Sequence, residues 1–402
     1  MLLGELLRGI DIIEINCGLD TEITGIKNDS RKVKPGDMFV AISGAAEDGS
    51  KYISSALENG AVAVCGEIRN SEFGIRNSIL VKDSKEALSK LAAAFFGNPD
   101  LTMLGVTGTN GKTTVTHIIR AILGENGGLI GTNLNMVGTV AVPAERTTPD
   151  AVALYGLLRD MVDGGCRYCA MEVSSHALCQ NRTGGIRYNV AAFTNLTPEH
   201  LDYHADMEDY YKAKRRLFEQ CDIAVINIDD KYGRRLREEC ACPIIAYSLE
   251  DEKAELFARD IILRPGGVEF EACFSPDDTG RSETVRVSWH TPGRFSVYNA
   301  LAAIGSVLAA ARICSEFEGL RLADIAAKVG VAAPVMGRME SVPVSGPYTV
   351  IIDYAHTPDA LENLLTAARE TCTGRLITLF GCGGDRDGKR PWSSPLIYTK
   401  NI

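Results

Sequence analysis

Short apolar runs alternate with amphipathic stretches through the middle of the chain. The runs have the length and composition of buried strands, and they lie at residues 101–106, 168–173, 190–194 and 223–228. Stretches with helical spacing, such as 151–163 and 208–220, lie between them. This alternation predicts an α/β fold with a mainly parallel sheet and helices on both faces. Ligands of such folds bind at the carboxyl ends of the strands, so polar residues directly after a run are candidates for a site.

The pattern divides the chain into three predicted domains, residues 1–98, 99–332 and 333–402. The first combines predicted strands at 38–42 and 61–65 with helices at 51–59 and 84–96. The third has a strand at 349–353, a helix at 359–370 and a strand at 376–380. About 70 residues are few for a domain, since ~100–150 is usual, so the third domain is expected to be partial.

A phosphate-binding loop is the most specific feature within the central pattern. The run LTMLGVTGTNGKTT, residues 101–114, leads an apolar strand through a Gly/Thr loop into an amphipathic helix. Glycines allow backbone N–H groups to surround a polyphosphate at a helix N-terminus. Lys112 would reach the terminal phosphates, and the Thr113 hydroxyl would bind magnesium. The spacing is unusual, because Val106 stands where the first glycine of the common motif is expected.

Composition narrows the class of protein. The 402-residue chain has a formal net charge of −10, which argues against a nucleic-acid surface. The N-terminus has acidic residues throughout, and no long apolar run is evident, so neither a signal peptide nor membrane insertion is expected. Twelve scattered cysteines suit a reducing cytoplasm. Cys166 and Cys169 form one CxxC pair that leads into a strand, and we interpret it as structural.

Three further residues stand near predicted strand ends or on a basic helix. Glu172 ends a strand and is placed to bind magnesium, although a helix-capping role is the alternative. His200 shares a loop with Asp202 and His204. Lys214 lies among four basic residues in KAKRR, which by itself indicates a solvated face. No nucleophilic side chain stands out, which suggests that the substrate supplies its own nucleophile.

Together these runs resemble the Mur ligase family, in the family's order from about residue 30 to 387. The matching runs include SRKVKPGDMF, GVTGTNGKTT, TNLNMVG, RTTPD, EVSSHAL, NLTPEHLDYH, YYKAKRRLF, GRFSVYNALAA, GRMESV, DYAHTPDALENLL and FGCGGDRD. The resemblance implies a three-domain architecture with a UDP-substrate-binding domain first and a central P-loop domain built on a parallel sheet. The C-terminal Rossmann-like, amino-acid-binding domain would be incomplete.

The resemblance also implies an activity. The chain is similar to the member that adds the third residue of the peptidoglycan stem peptide. Its partners would be ATP, Mg²⁺, UDP-MurNAc-L-Ala-D-Glu and an amino acid, with meso-diaminopimelate expected and lysine the alternative. The D-Glu carboxylate would attack ATP to form an acyl phosphate, which the incoming amine then attacks. A cytoplasmic monomer is expected.

Residue roles follow by matching motifs. Lys112, His200 and Lys214 would be catalytic, with Lys214 carbamylated to N6-carboxylysine. Thr113, Glu172 and His200 would bind Mg²⁺. The expected ATP contacts are Gly108, Thr109, Asn110, Gly111, Lys112, Thr113, Thr114, Asn299, Arg338, Asp353 and His356. The expected substrate contacts are Ser30 for uridine, Thr147, Thr148, Ser174, Gln180 and Arg182 for the muramoyl dipeptide, and Arg386 for the incoming amino acid.

The end of the chain departs from the family pattern. One residue is missing between Asp387 and Gly388, the resemblance stops after Pro391, and the run that reads the incoming amino acid is absent. These departures suggest a shifted reading frame. Two alternatives to an active ligase therefore remain: a remnant that only binds substrates, and a folylpolyglutamate-type ligase. SRKVKPGDMF and TNLNMVG argue against the second.

Overall fold

The computed structural model describes residues 1–44, 48–67, 77–275, 282–355 and 358–379. The predicted contacts His356 and Arg386 lie outside the described residues. The chain forms two compact units. The first unit comprises Met1–Leu101, Glu145–Cys166 and His176–Arg187, and the second comprises Thr102–Ala144, Arg167–Ser175 and the described residues from Tyr188 onward.

The helices and strands are numbered in chain order. The helices are α1 (Leu3–Leu6), α2 (Ile53–Glu58), α3 (Ser84–Phe96), α4 (Lys112–Leu123), α5 (Ala151–Asp163), α6 (Ser175–Cys179), α7 (Met207–Arg215), α8 (Lys231–Glu239), α9 (Arg294–Ile313), α10 (Leu322–Val331) and α11 (Pro358–Thr371). The first strands are β1 (Ile12–Asn16), β2 (Gly25–Lys27), β3 (Asp37–Ala41), β4 (Ala63–Gly66), β5 (Ser78–Val81), β6 (Thr102–Thr107), β7 (Gly127–Ile130), β8 (Asn135–Val137) and β9 (Val140–Val142). The others are β10 (Tyr168–Glu172), β11 (Tyr188–Phe193), β12 (Cys221–Asn227), β13 (Ile244–Ser248), β14 (Leu256–Arg264), β15 (Gly267–Phe274), β16 (Glu283–Trp289), β17 (Glu340–Val342) and β18 (Val350–Ile352).

The first unit contains a five-stranded sheet in the order β1-β5-β4-β3-β2, in which only the β1–β5 pair is antiparallel. Its helix α3 begins where the Asp83 carboxylate accepts hydrogen bonds from the backbone N–H groups of Lys85 and Glu86. The helix ends at Gly97, whose φ is +84°. An aspartate before the first turn and a glycine after the last turn are typical sequence signals of helix ends, and the predicted helix range of 84–96 is confirmed. Helices α3 and α5 pack against each other.

The second unit is built on an eleven-stranded sheet in the order β16-β15-β14-β13-β12-β11-β6-β10-β7-β8-β9. The seven central strands, β14, β13, β12, β11, β6, β10 and β7, are parallel to one another. The strands at the two edges, β15 and β16 on one side and β8 and β9 on the other, pair in antiparallel fashion. Every residue of the central strand β6 is buried, because helices α4 and α9 cover the sheet. The expected α/β fold with a mainly parallel sheet is confirmed.

Helix α9 is the core helix of the second unit. It is long and apolar enough to cross a membrane by length and composition, with a mean hydropathy of 1.4, but 78% of that window is buried in the protein. The sequence analysis did not identify this segment as a long apolar run, because polar residues such as Asn299 and Ser306 interrupt it. A helix surrounded by protein must be apolar on every side, which gives it the composition of a spanning segment.

The C-terminal part of the second unit contains the antiparallel pair β17–β18 and helix α11. The strand predicted at 376–380 is wrong for residues 376–379, which have no regular secondary structure. Residue 380 lies outside the described residues. Ile377 is 74% exposed and Leu379 is 99% exposed, so the apolar pattern there has no sheet to join and buries little surface.

Candidate functional site

The phosphate-binding loop connects β6 to α4 at the carboxyl edge of the second unit's sheet. Gly108 has a φ of +149°, and a Cβ there would lie 1.9 Å from the Thr194 Oγ1. That hydroxyl donates to the Asn110 carbonyl at 2.6 Å, so the end of β11 holds the loop in shape. Only glycine fits this approach, which explains why the loop needs Gly108 although the usual first glycine is absent.

Two lysines share one backbone carbonyl in this loop. Lys112 Nζ donates to the Gly108 carbonyl at 2.9 Å and to the Thr109 carbonyl at 2.8 Å. Lys214 Nζ donates to the same Gly108 carbonyl at 2.8 Å and lies 4.7 Å from the centre of the Tyr210 ring. Lys214 is only 2% exposed, so the interpretation of this residue as part of a solvated face is wrong. Its helix α7 turns Lys214 inward while Lys212 stays exposed.

Several ionisable side chains lie close to the Gly108 carbonyl and affect one another's pKa. Burial lowers the pKa of Lys112, and the carboxylates of Glu199 and Glu172 oppose that effect. Burial also lowers the pKa of His200, Glu199 opposes the shift, and the cations Lys112 and Lys214 add to it. His200 has a left-handed φ of +57° and lies 3.8 Å from the Glu199 carboxylate. The three residues predicted to be catalytic therefore belong to one electrostatic cluster.

The oxygens predicted to bind magnesium lie beside this loop. Glu172 ends β10, whose neighbour in the sheet is β6, and it is fully buried. Its carboxylate accepts hydrogen bonds from the Thr132 backbone N–H at 2.8 Å and the Thr132 hydroxyl at 3.1 Å. The Thr113 hydroxyl, at the start of α4, accepts a hydrogen bond from Arg338 at 3.1 Å. A carboxylate and a hydroxyl are oxygen ligands of the kind that Mg²⁺ prefers, so the residues fit this ion.

The described residues contain no group of three or more His, Cys, Asp or Glu side chains arranged to hold a metal ion. This is compatible with Mg²⁺ at a phosphate-binding loop, because there the ion takes only one or two protein ligands and completes its shell with substrate phosphates and water.

A cavity of about 500 Å³ opens next to the loop. It brings together Asn110, Gly111 and Thr114 of the phosphate loop, Asn299 of α9, and Arg338 and Asp353 from the C-terminal part of the unit. Gly111 has a φ of +90°, and a Cβ there would lie 2.4 Å from the Asn299 Oδ1. The backbone of the loop and the predicted adenine contact therefore lie against each other.

Arg338 and Asp353 are held by their own neighbours. The Arg338 guanidinium lies 5.2 Å from the centre of the Tyr354 ring and reaches the Thr113 hydroxyl. The Asp353 carboxylate accepts hydrogen bonds from the backbone N–H groups of Met339 and Ala355, both at 2.7 Å. Asp353 thus fixes the turn that presents Arg338 to the cavity.

Some lining residues were missed by the sequence analysis. The Tyr298 hydroxyl donates to the Asp229 carboxylate at 2.8 Å, which also accepts the Leu249 backbone N–H at 2.8 Å. Tyr298, Asp229 and Asp230 all line the cavity. Asp229 and Asp230 lie two and three residues after the carboxyl end of β12, and this position was the signal that could have identified them. Tyr298 precedes Asn299 within a helix and offers no such signal.

The predicted substrate contacts fall in both units. In the first unit, Arg182 donates to the Thr148 carbonyl at 2.8 Å and to the Gln180 side chain at 2.6 and 3.0 Å, so three of them are in contact. Thr147 immediately precedes Thr148. Ser30 is buried at the start of a 3₁₀ turn that Asp29 caps. Ser174 follows β10 in the second unit.

His204, from the same loop as His200, has structural partners. Its ring is buried, with Nε2 2.9 Å from the Ser175 hydroxyl and Nδ1 3.1 Å from the Asp209 carboxylate. It also stacks on Tyr210, with 4.8 Å between ring centres. These contacts fix the side of α7 from which Lys214 projects.

Comparisons with known families give three matches in chain order. The profile described as "Mur ligase family, catalytic domain" matches residues 22–96. The profile "Mur ligase middle domain" matches 106–307, and "Mur ligase, glutamate ligase domain" matches 337–396.

Individual relatives are similar over almost the whole chain. The UDP-N-acetylmuramoyl-L-alanyl-D-glutamate--2,6-diaminopimelate ligase of Clostridium tetani is 42% identical over 402 residues, covering 97% of this chain and 80% of that protein. The ligase of the same name from Geobacter sulfurreducens is also 42% identical, over 97% of this chain and 77% of its own length.

Solved structures with the same fold include a UDP-N-acetylmuramoyl-L-alanyl-D-glutamate--2,6-diaminopimelate ligase. It superposes with a TM-score of 0.75 at 29% identity, covering 96% of this chain and 78% of that one. MurF ligase from Thermotoga maritima, solved in complex with ADP, is 22% identical and shares the fold with a TM-score of 0.56, covering 86% of this chain and 74% of that one.

Proposed function

This chain belongs to the Mur ligase family, and from that premise we propose that it joins meso-diaminopimelate to UDP-MurNAc-L-Ala-D-Glu in peptidoglycan synthesis. ATP would be converted to ADP and phosphate. The observation that carries the proposal is the cluster of Lys112, Lys214 and His200 beside a cavity that Asn299 and Arg338 line. The 42% identity to relatives named for this reaction supports the choice of substrates. We place the reaction in the cytoplasm and expect a monomer to perform it.

The proposed reaction has two steps. The D-Glu side-chain carboxylate attacks the γ-phosphorus of ATP, the bond to the β-phosphate oxygen breaks, and ADP leaves with that electron pair. The acyl phosphate is then attacked by the amine of the incoming amino acid, an amide bond forms, and inorganic phosphate leaves. Both steps move negative charge onto phosphate oxygens, which Lys112 and Arg338 would stabilise.

Thr113 and Glu172 would hold one Mg²⁺ and His200 a second. The ions would neutralise charge on the phosphates and align the transferring group. To stabilise charge on the phosphate oxygens, Lys112 must leave the Gly108 and Thr109 carbonyls and turn to the phosphates. Its hydrogen bonds to the loop backbone keep it within reach of them.

We further propose that Lys214 acts as a carbamate. The lysine ammonium loses one proton, the neutral amine then adds CO₂ with loss of a second proton, and the resulting carbamate is an anion that could hold Mg²⁺. The positive charge of Lys112, which shares the Gly108 carbonyl with Lys214, favours the anionic form.

The dipeptide end of the UDP substrate would be held by Arg182, Thr148, Gln180, Thr147 and Ser174, and its uridine by Ser30. Arg182 is the cation of this set, and its hydrogen bonds to Gln180 and Thr148 hold its guanidinium in one orientation. A fixed guanidinium suits the carboxylates of a glutamyl substrate. The incoming amino acid would be held by Arg386, and the nucleotide also by His356.

A phosphate-release assay tests the proposed function. The 402-residue chain is incubated with ATP, Mg²⁺ and UDP-MurNAc-L-Ala-D-Glu, and diaminopimelate or lysine is added in turn. We expect phosphate release that depends on diaminopimelate, with a product heavier than the UDP substrate by one diaminopimelyl residue. Release with lysine alone would change the assigned amino acid, and release that requires a folate substrate would refute the proposal.

A variant links that activity to the cavity described here. Lys112→Met should lower turnover by about 10²–10³-fold, because a donor to the transition-state charge is lost. Binding of the UDP substrate should be retained. Wild-type protein that binds this substrate but releases no phosphate under any condition would identify a binding remnant instead of an active ligase.

A further inference from the structure

Three cysteines lie in a row on the second unit. Cys221 begins β12, Cys240 directly follows α8, and Cys242 precedes β13. The Cys242 Sγ lies 3.5 Å from the Cys221 Sγ and 3.3 Å from the Cys240 Sγ. None of the three takes part in the proposed ligase chemistry.

The backbone around these cysteines is firmly placed. Strands β12 and β13 are parallel neighbours, with Ala224 opposite Ile244, and the Ala224 N–H donates to the Pro243 carbonyl at 2.9 Å. Each of these residues is within three positions of a cysteine of the row. The short sulfur distances therefore reflect strand pairing, which brings Cys221 and Cys242 together although they are far apart in sequence.

Exposure differs within the row. Cys221 is buried, whereas Cys240 and Cys242 are partly exposed. A small reagent can therefore reach Cys240 or Cys242 before Cys221, and after reaction at Cys242 the buried Cys221 thiol is placed to complete an exchange. The described residues hold no metal-binding group of three or more His, Cys, Asp or Glu side chains, which favours thiol chemistry over metal capture.

We propose that Cys242 and Cys221 form a reversible disulfide by exchange with a low-molecular-weight disulfide, and that Cys240 is the neighbouring thiol from which Cys242 can also be reached. This modification site is independent of the proposed ligase function.

The exchange balances with the small disulfide as oxidant. The Cys242 thiolate attacks one sulfur of the small disulfide, a mixed disulfide forms, and one small thiolate leaves. The Cys221 thiolate then attacks the Cys242 sulfur, and the second small thiolate leaves. The two protons released by the cysteines end on the two small thiols, and the two cysteines have supplied the two electrons. A disulfide has sulfurs about 2.05 Å apart, so closure from 3.5 Å needs only a small local movement.

The bond between Cys221 and Cys242 is favoured over one between Cys240 and Cys242. Only Ala241 separates Cys240 from Cys242, so a disulfide between them would close a loop of three residues, in which the geometry that a disulfide requires is hard to reach. Cys221 and Cys242 instead lie at the start of paired strands. We therefore expect Cys240 to exchange transiently and Cys221–Cys242 to accumulate.

Peptide mapping without reduction distinguishes these products. Trypsin places Cys221 in the peptide 217–231 and both Cys240 and Cys242 in the peptide 238–253. After the full chain is incubated with oxidised glutathione, a Cys221–Cys242 bond appears as a cross-link between the two peptides. A Cys240–Cys242 bond appears within one peptide. We expect the cross-linked pair to be the main product and dithiothreitol to separate it.

Single serine variants test whether Cys242 is the cysteine common to the two possible disulfides. Cys240→Ser should keep the cross-link and Cys242→Ser should abolish it. Cys372→Ser, at a partly exposed cysteine directly after α11, is the matched control and should leave the cross-link unchanged. The peptide map of the wild-type chain tests for the Cys221–Cys242 disulfide without any variant, so the test remains valid even if a serine variant folds poorly.

Three results would overturn the proposal. One is glutathione that stays bound to Cys240 or Cys242 with no cross-link. Another is a cross-link that survives Cys242→Ser and is lost in Cys240→Ser. The third is stoichiometric zinc that is released only when the three thiols are blocked.

Discussion

At the scale of the residue, the central feature of the site is that two lysine ammonium groups donate to one carbonyl oxygen, that of Gly108. The Gly108 carbonyl accepts hydrogen bonds from both Lys112, which is half-buried, and Lys214, which is buried. Like charges this close disfavour each other, so loss of one positive charge stabilises the other. Carbamylation of Lys214 or arrival of the polyphosphate would each relieve the repulsion.

A pair of lysines on α7 tests this interpretation. Lys214→Ala should lower ligase turnover by about 10²-fold or more, since an anion that holds a metal would be lost. Lys212→Ala, two residues away and exposed, should keep turnover within about twofold, as is usual for surface changes.

A short carboxylate added to the assay makes the test specific. Acetate or formate should restore part of the activity of the Lys214→Ala variant, because it can supply the missing negative charge. Turnover that is unaffected by Lys214→Ala, or a loss that no carboxylate restores while the intact protein shows an unmodified Lys214, would contradict the carbamate.

The sequence analysis named residues that lie in a position-specific motif and missed residues that do not. Lys112 and Asn299 were found because their runs are characteristic, and the structure places Asn299 in the cavity and Lys112 at the loop beside it. Tyr298 was missed, since an aromatic residue in a buried helix is normally a packing residue. Lys214 illustrates the converse, because four basic residues together give no sign of which one faces inward.

At the scale of the element, helix α4 is bounded by two glycines that do different things. Gly111 precedes its first turn with a φ of +90°, and Gly124 follows its last turn with a φ of +96°. A Cβ at Gly111 would meet the Asn299 side chain, whereas a Cβ at Gly124 would meet nothing within 4 Å. The two positions share the backbone strain but not the steric contact.

Alanine at each glycine separates these effects. Both Gly111→Ala and Gly124→Ala should lower the free energy of unfolding by about 1–3 kcal/mol, because both positions have a positive φ that a residue with a Cβ rarely adopts. Gly111→Ala alone should also weaken ATP binding, measured by calorimetry, because the Asn299 side chain must move. Equal ATP affinity in the two variants would show that the Gly111–Asn299 contact does not matter for the nucleotide.

Local signals determined which elements were predictable. The bounds of α3 and α5 agree with prediction, because aspartates cap their first turns and glycines follow their last. The strand predicted at 376–380 had the right composition, but a strand also needs a neighbour to receive its hydrogen bonds. The pattern of single residues contains no information on that neighbour.

At the scale of the whole molecule, the parallel sheet places its functional groups along one edge. Glu172, Thr194 and Asn227 all come at or directly after the carboxyl ends of β10, β11 and β12. Alternation of strands and helices predicts this edge, so the general location of the site followed from the sequence. The shape of the cavity did not, because it depends on how the C-terminal part of the unit packs beside α9.

Two exposed apolar residues near the end of the described chain, Ile377 and Leu379, are expected to promote self-association. Changing both Ile377 and Leu379 to Lys should reduce self-association, measured by light scattering, and leave the melting temperature unchanged, since these side chains contribute little packing. Leu365→Lys is the contrasting control. Leu365 is 7% exposed, so burying a charge there should cost several kcal/mol, roughly 2–5. A lower melting temperature for the double variant would mean that these residues are packed after all.

The two units are interleaved along the chain, which crosses between them after residues 101, 144, 166, 175 and 187. During synthesis the first unit has no α5 for α3 to pack on until residue 163 has left the ribosome, and its last segment follows only at 187. By then β6 and α4 of the second unit already exist. The nascent protein therefore cannot finish one unit before it starts the other, and the side of α3 that packs on α5 stays uncovered until after the phosphate loop has been synthesised.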